Sequence, residues 1–272
     1  MLTEKSFDTG ELVINFAEGD TIGSPLVMLH GSTLRWQTFG EFIPTLEQNW
    51  HIYACDLRGH GKSGRAISGY RIADFVPDTV AFIERFTRQP TVLLGYSTGA
   101  IVTLGVAAQL PKLIRGIVLL DPPLMTRNTS IKQAEPYSWF TWVSETLAST
   151  FTVEEVLARL KELAPEQSEI DAQNDAKMIL NIDPESIAYI LNDRFFENFN
   201  LDQVLPRVAC PALLVRGEPA LGGMVRDNDV ALLKAHIPHI TTIQVSGVGH
   251  AICWGPAGKT ALEYVTWFLN SL

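Results

Sequence analysis

No apolar run in this chain approaches the roughly 20 residues that a membrane-spanning helix needs. The opening residues, Met1 to Phe7, carry no apolar signal region either. Cysteine is scarce. Cys55, Cys210 and Cys253 are an odd number without metal-ligand spacing, which points to reduced, buried thiols and not to a disulfide framework. Together these features predict a cytoplasmic protein. Positive charge is thin as well: 21 Lys and Arg stand against 30 Asp and Glu, for a formal net charge of −9 with no basic run. That balance argues against a nucleic-acid partner or an anionic membrane surface. Charged residues make up only 19% and hydrophobic residues 46% of the 272 positions, so the chain can bury a large core and is not disordered. It contains no internal repeat and no low-complexity segment.

What the chain does have is a rhythm of short buried strands and helices. Strands are expected at 11–17, at Leu26-Val27-Met28-Leu29-His30, at His51 to Cys55, at Thr91 to Leu94 and at Leu113 to Leu120. Runs that are apolar on both faces suit a parallel sheet covered on both sides. Helices are expected at 36–47, 72–86 and 99–110. From about 128 to 204 no convincing strand occurs. That stretch reads as helices near 139–149, after a Thr152 cap with Glu155, at 168–180 and after Asp183-Pro184-Glu185. The α/β rhythm returns with strands at 211–216 and 241–245 and helices at 228–237 and 257–270. The expected organisation is therefore a core over 1–127 and 205–272, with an all-helical cap over 128–204 inserted after the strand ending at Asp121. Such an insert would sit over the catalytic face, its aromatics lining an apolar pocket.

Gly95-Tyr96-Ser97-Thr98-Gly99 lies where one buried strand turns into a helix. A G-x-S-x-G sequence in that setting is a nucleophile elbow: the flanking residues must lack a Cβ for the two arms to close around a strained serine. The helix beyond it aims free N–H groups at charge developing beside Ser97. A serine nucleophile needs a base near neutral pH, which imidazole supplies. Among six histidines, His250 follows the last strand in a glycine-flanked loop, in the chain order this motif requires.

Across essentially its whole length the chain resembles the α/β-hydrolase fold family. The resemblance is carried by His30-Gly31-Ser32, by Asp56-Leu57-Arg58-Gly59-His60-Gly61-Lys62-Ser63, by the elbow and by Gly249-His250. It implies a mostly parallel, doubly wound sheet. It also implies an oxyanion hole formed by the backbone N–H groups of Ser32 and Thr98, structural roles for His30, Asp56, Arg58 and His60, and no metal or organic cofactor. In most similar members the triad acid would fall at Ala220, and alanine cannot orient an imidazole. Some members place the acid one strand earlier, which makes Asp121 the first candidate; Glu218, Asp227 and Asp229 follow, the last two reading more as helix caps.

The expected substrate is a small molecule, a small to medium carboxylic ester or lactone with an apolar portion. Trp36, Trp139, Trp142, Trp254 and Arg194 are candidate pocket residues. Three other readings use the same framework: hydrolysis of carbon–carbon bonds in vinylogous diketones, cofactor-free perhydrolysis, and ligand binding without turnover. Epoxide hydrolases and dehalogenases of similar fold need a carboxylate nucleophile, which Ser97 is not.

Overall fold

The computed structural model describes residues 2–127, 129–134, 136–163 and 168–272. Met1 and Asn128, where the sequence places the start of the core and of the cap, lie outside the described residues. Eight strands form one sheet: β1 (Thr3–Asp8), β2 (Val13–Glu18), β3 (Pro25–Leu29), β4 (His51–Cys55), β5 (Thr91–Tyr96), β6 (Ile114–Leu120), β7 (Ala212–Arg216) and β8 (Ile240–Gln244). Their order is β1-β2-β4-β3-β5-β6-β7-β8. β1 and β2 pair antiparallel at one edge, and every pairing from β4 to β8 is parallel. Every residue of β3, β4 and β5 is buried, as a sheet covered on both faces requires.

Ten α-helices accompany the sheet among the described residues: α1 (Ile43–Leu46), α2 (Ile72–Phe82), α3 (Thr98–Gln109), α4 (Tyr137–Ala148), α5 (Val153–Leu163), α6 (Glu169–Leu180), α7 (Pro184–Leu191), α8 (Leu201–Val204), α9 (Asp227–His236) and α10 (Gly255–Leu269). The apolar side chains collect in two layers, one on each sheet face. Phe16, Val27, Leu93 and Ile101 belong to the layer under α2 and α3, while Met28, Leu94, Val118 and Phe268 belong to the layer under α10.

One strand lies where none is expected, and one expected helix is broken. The polar strand β1 has no apolar alternation to betray it, since five of its six residues are exposed. The helix expected over 36–47 is instead a 3₁₀ turn at Trp36–Phe39 and the single α-turn of α1, separated around Gly40.

Between β6 and β7 the described residues are helical or irregular, without a strand. These helices hold a small core of their own, including Val143, Val156, Leu160 and Ile179. Thr152 and Glu155 exchange backbone-to-side-chain hydrogen bonds of 2.8 and 3.3 Å at the start of α5, so the Thr-x-x-Glu signature forms its reciprocal cap. The insert is joined to the sheet domain through backbone bonds from Asp183 N–H to the Gly59 carbonyl (2.8 Å) and from Ile72 N–H to the Phe195 carbonyl (2.9 Å). No described helix is long and apolar enough to cross a membrane. Cys55, Cys210 and Cys253 are all free and buried.

The loop after β4 carries a buried ion pair. Arg58 grips Asp78 of α2 with two bonds, Nε at 2.7 Å and Nη2 at 2.8 Å, and donates a third to the Gly69 carbonyl at 2.9 Å. Both partners are less than a tenth exposed. Removing one partner of such a pair strands the other charge away from water. Asp78→Ala is therefore expected to lower unfolding free energy by about 3–5 kcal/mol. Urea denaturation with an unchanged m-value measures it, and a loss under 1 kcal/mol would mean that Glu11, which also contacts Arg58, suffices as its counter-ion.

Candidate active site

The chain turns from β5 into α3 through Ser97, whose backbone sits at φ 53° and ψ −118°. The two flanking glycines are sterically obligatory. A Cβ on Gly95 would lie 2.3 Å from the Gly99 carbonyl oxygen, and one on Gly99 would lie 2.0 Å from that of Leu29. The strained turn is held by a bond from Ser97 N–H to the Leu120 carbonyl (2.8 Å), which ties the elbow to the neighbouring strand β6.

β6 ends directly at Asp121, and the loop after β8 brings in His250. His250 Nε2 lies 3.0 Å from Ser97 Oγ, and its Nδ1 lies 2.7 Å from Asp121 Oδ2. Asp121 is fully buried and accepts backbone N–H bonds from Gly217 (3.2 Å) and Met224 (2.9 Å). An ionised carboxylate only accepts, so the proton belongs on Nδ1, and the Nε2 lone pair faces the serine hydroxyl. The imidazole is backed by a residue that the sequence reading passed over. Tyr96 stacks on it at 4.9 Å between ring centroids and donates its hydroxyl to the His250 carbonyl at 2.9 Å. Its only signal was an aromatic side chain immediately before the elbow serine.

Ser32 and Thr98 meet on the other side of Ser97, where their hydroxyls lie 2.7 Å apart. Gly31 lets this loop approach closely, because a Cβ there would come within 2.9 Å of Ser97 Cβ. Ser97 opens onto a cavity of ≈ 230 Å³. Ile131, Pro136, Trp139, Phe140, Ile190 and Phe195 of the helical insert form its roof; Thr33, Met224 and Trp254 contribute from the sheet domain. A larger depression of ≈ 490 Å³, between Arg127 and residues 198–203, holds none of Ser97, His250 or Asp121. Among the described residues no three His, Cys, Asp or Glu side chains converge as metal ligands.

Residues 24–257 match the alpha/beta hydrolase fold family. The chain belongs to that family. A pimeloyl-[acyl-carrier protein] methyl ester esterase from Xanthomonas oryzae pv. oryzae is 28% identical over 249 residues, 88% of this chain and 92% of that enzyme. A 2-(acetamidomethylene)succinate hydrolase from Mesorhizobium japonicum is 31% identical over 114 residues, a match spanning 42% of this chain and only 41% of that enzyme's length. Among solved structures, an E-2-(acetamidomethylene)succinate hydrolase superposes with a TM-score of 0.79 at 22% identity, over 99% of this chain and 100% of the other, and so shares its fold. The chain thus spans about two fifths of the length of the succinate-derivative hydrolases that it matches, and nearly the whole length of the methyl ester esterase.

The remaining candidates in this family member fall into place by their contacts. His30 donates from Nδ1 to the Gly31 carbonyl (2.7 Å) and accepts the Leu57 N–H on Nε2 (2.9 Å), so it braces two loops. His60 bonds to the Arg58 carbonyl at 2.9 Å. Burial pushes both imidazoles down to about 4, and the proximity of His30 adds to the effect on His60. Asp56 takes N–H bonds from Trp36, Asn15 and Lys62, closing the turn around itself. Glu218 receives the Gly247 N–H at 2.9 Å and so steadies the loop that leads to His250. Ala220 is exposed in the short 3₁₀ turn beside it. Asp227 pairs with Arg216 at 2.6 Å, and Asp229 caps α9 and pairs with Arg127.

Of the five candidate pocket residues, Trp139 and Trp254 line the cavity and three do not. Trp36 packs with the core layer under α10 and donates its indole N–H to Glu4 at 3.0 Å. Trp142 meets Trp139 at a tilt, 5.1 Å between ring centroids, and packs on the insert's own core. Arg194 lies at the surface, 3.3 Å from Glu197 and 4.1 Å above the Tyr189 ring.

Proposed function

We propose that this protein is a hydrolase that cleaves small, uncharged carboxylic esters or lactones through an acyl-enzyme on Ser97. The observation that carries the reading is the hydrogen-bonded chain from Ser97 Oγ through His250 to buried Asp121, placed at the floor of an apolar cavity. In the first step His250 Nε2 takes the Ser97 proton as Oγ bonds to the substrate carbonyl carbon. The carbonyl electron pair moves onto oxygen, where the backbone N–H groups of Ser32 and Thr98 receive it. Collapse of the adduct breaks the bond to the alkoxy group, which leaves with the proton from His250. Water then repeats the sequence, giving up a proton to His250 and releasing the acid and Ser97.

Charge supports the neutral substrate. A second carboxylate, such as a succinate would bring, would meet no Lys or Arg among the described lining residues, and an unpaired buried carboxylate is costly. Size supports a small one, because ≈ 230 Å³ lies below the roughly 300–1,000 Å³ of drug-sized sites.

A fluorophosphonate probe tests the chemistry: mass spectrometry is expected to find one adduct, on Ser97, lost in Ser97→Ala. A folded wild-type protein without that adduct would sink the proposal in favour of ligand binding without turnover. Turnover of p-nitrophenyl butyrate is expected to exceed that of the p-nitrophenyl monoester of succinic acid by at least about tenfold, the worth of about 1.4 kcal/mol. Faster cleavage of a dienoic diketone than of the butyrate would instead assign carbon–carbon bond hydrolysis.

A further inference from the structure

Thr33, the residue after the oxyanion donor Ser32, has a left-handed backbone with φ 65°. For a β-branched side chain that conformation is a genuine outlier, and it persists only where the surroundings hold it. Thr33 is buried, and its Oγ1 accepts a hydrogen bond of 3.2 Å from the indole N–H of Trp139 on α4. Trp139 is the one roof residue among those described whose side chain carries an N–H or O–H; Ile131, Pro136, Phe140, Ile190 and Phe195 are apolar. The roof's polar contact with the floor thus falls on the residue beside the oxyanion donor.

Besides the backbone bond from Leu34 N–H to the Gly31 carbonyl (3.3 Å) that closes this turn, two of the loop's hydroxyls are tied to different owners. The Ser32 hydroxyl is tied to Thr98 at the start of α3, within the sheet domain. The Thr33 hydroxyl is tied to the helical insert. We propose that the Trp139–Thr33 hydrogen bond makes the oxyanion site conditional on the seating of the helical insert, with both residues acting as positioning residues for the Ser32 N–H. When α4 is seated, Trp139 holds Thr33 in its left-handed conformation and the peptide joining Ser32 to Thr33 keeps its direction. When α4 is displaced, Thr33 relaxes toward an ordinary backbone conformation and the donor turns away from the carbonyl oxygen. Substrate filling the cavity under the roof is then linked to assembly of the site that stabilises its transition state. This inference rests on the reading of Ser97 as nucleophile and Ser32 as oxyanion donor.

The experiment is a double-mutant cycle of Thr33→Val, which removes the acceptor at constant shape, and Trp139→Phe, which removes the donor, assayed with p-nitrophenyl acetate and butyrate. A misaimed donor weakens transition-state binding, so the loss belongs in kcat and not in KM. Each single variant is expected to lose about tenfold in kcat, less than the roughly 10²–10³ of a deleted donor. The factor is expected to be the same for both esters, with KM within about twofold of wild type. The double variant is expected to fall no further than the worse single one, and Thr33→Ser, which keeps the hydroxyl, to stay within about twofold. Unchanged kcat in Thr33→Val, losses that multiply in the double variant, or a loss that grows with acyl length would overturn the coupling. If Thr33→Val does not fold, Trp139→Phe against wild type and Thr33→Ser carries the same comparison of kcat with KM on the two esters. Fluorophosphonate labelling separates the two levels. A labelled wild type with unaffected variants sinks the coupling alone, whereas an unlabelled wild type sinks the assignment of Ser97.

Discussion

Asp121→Asn is expected to lower kcat/KM for p-nitrophenyl butyrate by about 10⁴-fold while leaving the fold intact. The substitution is nearly isosteric, and Asp121 sits fully buried at the end of β6 with little room to move. Its two carboxylate oxygens already accept N–H bonds from Gly217 and Met224, and Oδ2 also faces His250 Nδ1. An amide offers only one acceptor oxygen for this group of donors. Its NH₂ must turn either toward a backbone N–H or toward the imidazole. In the second case Nδ1 becomes the acceptor, the proton moves to Nε2, and the ring faces Ser97 as a donor with no base to offer. Glu218→Gln and Asp227→Asn are expected to stay within about threefold, since a glutamine oxygen still accepts the Gly247 N–H and Asp227 is occupied at the surface by Arg216. A near-wild-type Asp121→Asn enzyme would pass the acid role to one of these neighbours.

Acidification from pH 6.5 to pH 4 is expected to remove on the order of 3 kcal/mol of stability for each of His30 and His60. Both are fully buried neutral imidazoles in the fold, pushed down to about 4, whereas in the unfolded chain they titrate near 6.5. Between those values the unfolded chain binds protons that the folded chain refuses. The contribution is complete above about 6.5 and is lost as pH falls toward 4. Their rings face each other at 5.4 Å, so a proton on one opposes a proton on the other. Asp56 beside them works in the opposite sense, because burial raises its carboxyl and the fold takes up its proton before the unfolded chain does. Urea midpoints at pH 7, 5.5 and 4 measure the slope, and His60→Asn is expected to halve it. A flat profile in the wild type would mean that these imidazoles admit protons without opening the core.

The elbow was legible because its demands are local: two missing Cβ atoms, a buried strand before and a helix after. The placement of His250 beside Ser97 was legible because chain order limits where a candidate base can arrive. Asp121 was harder to read. It lies 24 residues beyond Ser97, and only the side-by-side order of β5, β6 and β7 brings the two together. With Ala220 in the usual place, sequence left Glu218, Asp227 and Asp229 open; their partners, the Gly247 N–H, Arg216 and Arg127, could be known only from the folded chain. The cavity wall was least legible. Trp139 and Trp142 are one helical turn apart, yet only the first faces the cavity, because the direction of a side chain depends on how α4 packs against its neighbours. Trp36 departs from expectation for a related reason: the expected helix at 36–47 is broken, and from the 3₁₀ turn that replaces it the indole reaches Glu4 on β1 and not the cavity.

The buried thiols have a practical consequence. Burial pushes Cys210 up to about 11 and raises Cys55 and Cys253 further, so none offers thiolate to a reagent near neutral pH. The protein is in effect blank to maleimides as it stands. A single Phe151→Cys, at an exposed site just before α5, would therefore carry one fluorophore without any background substitution. Movement of the helical insert then becomes a change in the emission of that one fluorophore.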